Sequence, residues 1–215
     1  MQVDLRRWVV PVGHQVLLTD VTWAEFEAIL DELGEERATR LSYSNGVLEI
    51  MAPSPEHEDD KVILADLVKI ILEEQGLEFR NLGSTTFKSE ATDQAVEPDE
   101  CFYIEHEPAI RGKRRIDLTA DPPPDLVIEI DLTARTRFHN YARLGVPELW
   151  RYDGHTLEIN ILRHGQYVLS SQSRHFSGIP VTHALPHYLE QSRTVGRTAV
   201  MRTFRAWVRQ CLGYG

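Results

Sequence analysis

Three stretches of the chain place apolar residues at helical spacing and therefore predict helices. The first begins after Thr22, and Glu25 three residues later completes a capping box. The second begins after Ser54, with Pro55 at the first helical position and acids in its first turn, as the helix dipole favours. The three predicted helices cover residues 22–34, 54–76 and 197–212.

Shorter apolar runs bounded by turn residues predict strands. The strongest local signal is Asn45-Gly46 between two such runs, which indicates a hairpin with a type I′ turn. The polar run 89–97 is predicted to be a loop. A helix capped by Thr133 is predicted between two of the strands, and one short helix is predicted around Pro180 and Pro186. The predicted strands are residues 41–44, 47–51, 77–82, 85–88, 100–104, 125–131, 148–152, 156–162 and 166–170.

Length and composition indicate one domain. The 215 residues are 42% hydrophobic, and no Gly/Ser- or Pro-rich linker divides them. We expect a single domain over residues 1–215, with the core at about 22–154 and a peripheral hairpin and helical tail at 155–215. No apolar run is long enough to cross a membrane, and the first residues lack a basic region followed by an apolar core and a small-residue cleavage site, so we expect that the protein is not secreted. Cys101 and Cys211 are expected to be buried reduced thiols, as in a cytoplasmic protein.

Charge is distributed unevenly along the chain. The net charge is −10, but residues 1–107 carry 24 acids and eight bases, whereas residues 108–215 carry nine acids and 15 bases. After Glu190 the charged residues are all arginines. This asymmetry permits a phosphate-facing surface on an acidic protein. A solvated helix face explains any single arginine equally well.

Acidic residues at two predicted strands suggest a metal site. Asp99 precedes the strand 100–104, and Glu129 and Asp131 lie near the end of the strand 125–131. Residues two apart on a strand share a face, so Glu129 and Asp131 leave the sheet together. A carboxylate in a buried strand needs a partner, and a divalent cation such as Mg²⁺, which prefers oxygen ligands, is one such partner.

An acid from the second helix is a further candidate for this site. The first turn contains five charged or titratable residues in a row, positions 56–60. We choose Glu58 because it lies four residues before Val62, at the start of the predicted core-facing stripe. Stabilisation of the helix dipole is an equally good explanation for any one of these acids.

Several motifs, in order, resemble a known family. They cover residues from about 22 to 154 and are WAEFEAIL, SNGVLEIMAPSPEHE, GSTTF, VEPDECFYI, PPDLVIEID and NYARLGVPELWRYDG. This combination resembles the bacterial Uma-two (Uma2) family of restriction-endonuclease-like proteins, formerly a domain of unknown function, within the PD-(D/E)XK nuclease superfamily. The resemblance implies an α/β fold with a restriction-endonuclease-like core, in which helices flank a mixed central β-sheet, with extra hairpin strands and a C-terminal helix.

The resemblance also implies roles for particular residues. Asp99 corresponds to the aspartate of the PD motif, Glu129 to the second acid, and Glu58 to an acid carried by a helix, so that these three would hold the metal.

The usual lysine of the superfamily is absent from its position, which here is Asp131. Relatives commonly carry a lysine on the following helix instead, and that position is Arg137, which keeps the charge but cannot act as a base. Lys88 on a neighbouring strand is a second candidate for the missing cation. Asp99, Glu129, Asp131, Arg137 and Lys88 are thus the predicted catalytic residues.

The leading hypothesis is a DNA endonuclease that depends on Mg²⁺ or Mn²⁺ and acts as a homodimer, since a two-fold pair suits cleavage of both strands. An inactive or weak relative that binds nucleic acid or a protein partner is the alternative, supported by the missing lysine and the acidic N-terminal half. A metal-dependent hydrolase of a small phosphorylated substrate is a weaker third hypothesis, because the sequence has no Gly-rich phosphate-binding loop.

Overall fold

A computed structural model describes residues 8–34, 37–132 and 138–214, hereafter the described residues. They form eleven strands: β1 (Gln15–Leu18), β2 (Arg40–Ser44), β3 (Val47–Met51), β4 (Arg80–Asn81), β5 (Phe87–Ser89), β6 (Gln94–Val96), β7 (Glu100–Tyr103), β8 (Leu126–Ile130), β9 (Glu148–Tyr152), β10 (Leu157–Arg163) and β11 (Gln166–Ser170). They also form six helices: α1 (Trp23–Leu33), α2 (Pro55–Glu74), α3 (Glu107–Ile110), α4 (Phe138–Leu144), α5 (Val181–Val195) and α6 (Arg197–Cys211).

The strands form two sheets. The smaller sheet has the order β1-β3-β2-β6-β5 and is antiparallel throughout. The larger sheet has the order β11-β10-β9-β8-β7-β4, and its one parallel pair among the described strands is β8 with β9. The connection between β8 and β9 contains α4, as a parallel pair requires a crossover. Mixed sheets flanked by helices confirm the predicted fold class.

Local signals in the N-terminal third are confirmed. Thr22 and Glu25 form the predicted capping box at the start of α1, and Phe26 of that helix is fully buried. The turn between β2 and β3 has positive φ at both Asn45 and Gly46, which is the type I′ geometry. A core cluster beneath α1 joins Phe26 to Tyr43 of β2.

Helix α2 is the central helix of the larger core cluster, and it buries the predicted apolar face except at Val62, where that face was expected to begin. Val62 is 45% exposed, whereas His57, Asp60 and Ile63 are buried. The buried stripe therefore passes through His57 and Asp60, and the reason for choosing Glu58 is wrong, because Glu58 lies beside this stripe with its side chain 40% exposed.

The tail contributes to this same core and is not peripheral to it. Helices α5 and α6 supply Leu185, Leu189, Phe204 and Val208 to the cluster that contains α2 and β8. Helix α5 is 15 residues long with Pro186 inside it, and so it is longer than the predicted short helix. No described helix is long and apolar enough to cross a membrane.

Arginines of the tail pair with acids of the same chain. They form ion pairs with acids of α2, so bases of the positively charged half of the chain contact acids of the negatively charged half. The pairs are Arg193 with Asp60, Arg197 with Asp66, Arg205 with Glu73 and Glu74, and Arg209 with Glu74. These four arginines hold the tail against α2, and the proposed phosphate-facing surface is not needed to explain them.

Three further differences concern strands and cysteines. The predicted loop 89–97 contains a short 3₁₀ turn followed by the buried strand β6, and the predicted strand 77–82 is reduced to the two residues of β4. Cys101 is buried as predicted, but Cys211 is exposed. The predicted cap Thr133 lies outside the described residues.

Candidate active site

Two carboxyl groups meet at the edge of the β7–β8 pair. Antiparallel pairing places Glu100 opposite Ile128, so the preceding Asp99 lies across from Glu129. Asp99 Oδ2 accepts a hydrogen bond of 2.8 Å from the backbone N–H of Ile130, which binds the aspartate to β8. Besides burial, the charge of Asp99 raises the pKa of Glu129, as expected for two carboxyl groups that lie near each other. We call these two residues the acid pair.

Two full negative charges on the acid pair are energetically unfavourable. Burial raises the pKa of Glu129 well above its usual range, and the charge of Asp99 raises it further. The Tyr141 hydroxyl, which donates a hydrogen bond to Glu129 Oε1, acts in the opposite direction. Burial and the adjacent Glu129 raise the pKa of Tyr141 itself, so the phenol remains a donor. In this environment Glu129 favours either a proton or another cation.

Two basic side chains surround Asp99. Arg40 of β2 places its Nε 3.2 Å from Asp99 Oδ1. His57 in the first turn of α2 places its Nε2 3.0 Å from Asp99 Oδ2. Burial alone would lower the pKa of His57, but its contacts with Asp99 and Glu58 raise it to about 9. The aspartate is thus held between a guanidinium and an imidazolium.

Glu58 forms ion pairs with cations around Asp99. Its Oε1 accepts a hydrogen bond of 2.9 Å from Arg40, and its Oε2 contacts Lys61 Nζ at 2.5 Å. Its contacts with His57, Lys61 and Arg40 hold the pKa of its carboxyl well below the usual range. Among the described residues, no three Asp, Glu, His or Cys side chains converge as a metal site, so the predicted trio with Glu58 is not assembled.

The predicted cationic positions have different surroundings. Lys88 forms an ion pair of 2.6 Å with Glu27 of α1 and is directed to that helix. Asp131, at the position of the superfamily lysine, forms a 2.6 Å ion pair with Arg151 of β9, and its charge contributes to the raised pKa of Glu129. Arg137 lies outside the described residues.

Sequence reasoning missed Arg40, and among the first-turn candidates it chose Glu58 instead of His57. Position 57 belongs to the stripe 57, 60, 64, 67 and 71 that α2 buries, so extension of the predicted stripe back from position 64 would have selected it. Arg40 begins a strand of the smaller sheet, far in sequence from both acids, and no local pattern points to it.

The acid pair fits a divalent cation by its chemistry. Carboxylate oxygens are the ligands that Mg²⁺ and Mn²⁺ prefer, and the two groups are adjacent and desolvated. Asp99 Oδ1 is buried and has no hydrogen-bond partner among the described residues, although Arg40 is close. Asp99 and Glu129 are therefore the residues that would hold such an ion.

A mixed sheet that joins an aspartate and a glutamate across neighbouring strands, with helices on its faces, defines the restriction-endonuclease-like class of fold. The chain belongs to the Uma2 family, described as "Putative restriction endonuclease", whose model matches residues 23–196. This confirms the resemblance read from the motifs.

A solved structure shares the fold. It is described as the crystal structure of a putative nuclease belonging to DUF820 from Anabaena variabilis ATCC 29413. The two chains are 16% identical, with a TM-score of 0.50, over 87% of this chain and 99% of that one. No curated protein matches the sequence.

Proposed function

We propose that this protein hydrolyses phosphodiester bonds of DNA in a reaction that depends on Mg²⁺ or Mn²⁺. The observation that carries the proposal is the convergence of the carboxyl groups of Asp99 and Glu129 across β7 and β8. Membership of the Uma2 family and the fold shared with the protein described as a putative nuclease belonging to DUF820 support it. When bound to such a site, a divalent ion supplies polarisation of water and of the phosphate.

The chain's own residues orient the acid pair. The Ile130 N–H holds Asp99, and the Tyr141 hydroxyl holds Glu129, so neither carboxyl has to reorganise when a cation arrives. In the hydrolysis, the oxygen of water bonds to phosphorus, the bond from phosphorus to the 3′ oxygen breaks, and the leaving oxygen takes up a proton. Asp131 is bound to Arg151 and would contribute negative charge near the site without acting as the superfamily's lysine.

Other parts of the proposal rest on the same reasoning. We infer a homodimer, since cleavage of both strands of a duplex suits a two-fold pair, and a cytoplasmic location, where both thiols stay reduced. Arg137 remains a proposed contributor of positive charge. Lys88 is not part of the proposed site, because Glu27 is its partner.

Plasmid nicking during titration with Mg²⁺ or Mn²⁺ tests this function. We expect metal-dependent nicking by the wild type, none by Asp99→Ala or Glu129→Gln, and unchanged nicking by Arg202→Gln, an exposed arginine on α6. Nicking by the wild type no greater than that of Asp99→Ala would refute the proposal.

An inactive binding module is the second candidate. The ion pair of Asp131 with Arg151 favours it, because an anion that is already paired replaces the superfamily's lysine. Calorimetric titration with Mn²⁺ separates the two, since a folded protein that releases no heat with Mn²⁺ but still binds DNA would be a binding module.

A further inference from the structure

A polar cleft is lined in part by Arg40, the residue that contacts the buried Asp99. It has a volume of about 460 Å³, within the range of small-ligand sites. Its charged and hydroxyl-bearing lining comes from β2, from α2 and from connecting segments. These lining residues are Arg37, Thr39, Arg40, Glu58, Lys61, Ser84 and Glu97. We call this space the entrance cleft; three bases and two acids line it, although the N-terminal half of the chain is strongly acidic.

Arg40 connects the entrance cleft to the acid pair. Its side chain is only 11% exposed, and its Nε lies 3.2 Å from Asp99 Oδ1. The terminal nitrogens contact Glu58 at 2.9 Å, the Ser84 hydroxyl, and the backbone oxygen of Pro98 at 3.4 Å. Acceptors on several sides fix the guanidinium in one position, so it is preorganised between the cleft and Asp99.

Three other cations near the site form ion pairs with acids that do not belong to the acid pair. Lys88 is bound to Glu27, and Arg151 is bound to Asp131 and lies over the ring of Phe138. Arg37 is bound to the buried Glu97. Arg40 contacts Asp99 through its Nε. Its terminal nitrogens share Glu58 with Lys61, and the Glu58 side chain is 40% exposed at the cleft. An incoming phosphate could therefore replace Glu58 as their partner without leaving a buried acid unpaired.

We infer that Arg40 is a catalytic residue that binds the phosphate under attack, and that the DNA strand reaches the acid pair through the entrance cleft. This inference rests on the proposed function. Arg40 takes the place of the absent lysine by contacting a non-bridging phosphate oxygen, where negative charge grows as water bonds to phosphorus. A planar guanidinium suits this role because it can donate two parallel hydrogen bonds to a phosphate. Lys61 binds the same strand at the mouth of the cleft.

Single-turnover cleavage of a short labelled duplex tests the catalytic part. We expect Arg40→Gln to lower the rate at saturating DNA by about 10²–10³-fold, as for loss of one preorganised donor, and Arg40→Lys to recover part of it. Calorimetry should show that Arg40→Gln still binds Mn²⁺, because the acid pair is intact and has lost a competing positive charge. Arg202→Gln is the matched control and should behave as the wild type in both assays.

A structural role for Arg40 would give a different result. It would lower the melting temperature and weaken Mn²⁺ binding together, and Arg40→Lys would not recover the rate better than Arg40→Gln. A wild-type cleavage rate in a folded Arg40→Gln variant, while Asp99→Ala is inactive, would overturn the inference and leave the proposed function intact.

Binding without metal keeps the inference testable if the wild type does not cleave DNA. In that case the proposed function fails, and fluorescence anisotropy of the labelled duplex gives the binding constant at several salt concentrations. The slope of its logarithm against the logarithm of the salt concentration is the salt slope. Loss of one phosphate contact should reduce the salt slope by about 1, both in Arg40→Gln and in Lys61→Gln. Equal slopes for wild type and both variants would exclude the entrance cleft as a phosphate site. If Arg40→Gln does not fold, Lys61→Gln decides the same question, because Arg40→Lys would keep the positive charge.

Discussion

The ion pair of Asp60 with Arg193 joins the start of α2, which carries His57 and Glu58, to the end of α5. Asp60 has a fully buried side chain, and its Oδ1 lies 2.6 Å from an Arg193 nitrogen. In Arg193→Gln the carboxylate would remain buried without its cation. Removal of one partner from a buried ion pair lowers the free energy of unfolding by about 3–5 kcal/mol. Because Arg193 keeps 32% of its side chain exposed, we expect Arg193→Gln to lower it by about 2–3 kcal/mol.

Urea unfolding and thermal unfolding measure this loss. For a chain of this size a loss of 1 kcal/mol lowers the melting temperature by about 2–4 °C, so we expect a decrease of roughly 4–12 °C. Arg197→Gln is the matched control, since Arg197 is 55% exposed and its partner Asp66 is 20% exposed. Loss of such a surface pair should cost at most about 1 kcal/mol.

The pH dependence of the loss tests its electrostatic origin. Burial raises the pKa of Asp60 even though Arg193 lowers it, so removal of Arg193 should raise this pKa further. In the folded variant Asp60 then keeps a proton that the same aspartate in the unfolded chain releases near pH 3.9 (about the ordinary pKa of aspartate). The stability of the variant therefore falls as the pH rises from there through the pKa of Asp60 in the folded state. The cost of Arg193→Gln should therefore be smaller near about pH 5 than near about pH 8.

The double variant Asp60→Asn with Arg193→Gln provides the refutation. A neutral amide should be less costly to bury than an unpaired carboxylate, so the double variant should be more stable than Arg193→Gln alone. The reasoning is wrong if the double variant is as unstable as the sum of the single variants, or if Arg193→Gln costs no more than Arg197→Gln.

Three further predictions concern the core, the thiols and the acid pair. Phe204→Ala should cost about 3–5 kcal/mol in urea unfolding because the ring is fully buried; a cost under about 1 kcal/mol would contradict this packing. The native protein should expose one reactive thiol, Cys211, and a second only on unfolding, because Cys101 is buried and burial raises its pKa; two fast thiols in the native state would refute this. Tyr141→Phe removes a hydrogen bond that lowers the pKa of Glu129, so a proton should compete better with Mn²⁺ and the affinity for Mn²⁺ measured by calorimetry should fall. The difference in affinity between the variant and the wild type should shrink as the pH rises. Unchanged affinity at neutral pH would contradict the role of the hydroxyl.

Local sequence signals predicted the elements on which the site is built. The capping box of Thr22 and Glu25 and the Asn45-Gly46 turn are confirmed, because each depends on neighbouring residues alone. The strands that carry Asp99 and Glu129 were also predicted, since apolar runs and alternation of faces are properties of a short segment. Confirmation of the Uma2 family shows that the motifs were sufficient to predict the fold class.

Long-range packing accounts for what the sequence did not predict. Strand β6 lies in a polar run and exists because β2 and β5 pair with it on either side. Helix α5 continues through Pro186 because its apolar face packs against α2, and this burial exceeds the cost of a missing backbone hydrogen bond.

The amino-acid sequence alone determined the candidate acids, the strands that bear them and the family, since these depend on residue type and short-range spacing. Only the tertiary structure decided which cations reach those acids. Arg40 comes from the other sheet and His57 from the buried face of α2, and four tail arginines form ion pairs with acids of α2. The physical reason is that ion pairs form between side chains distant in sequence, and their partners are selected by how sheets and helices pack, which no local pattern encodes.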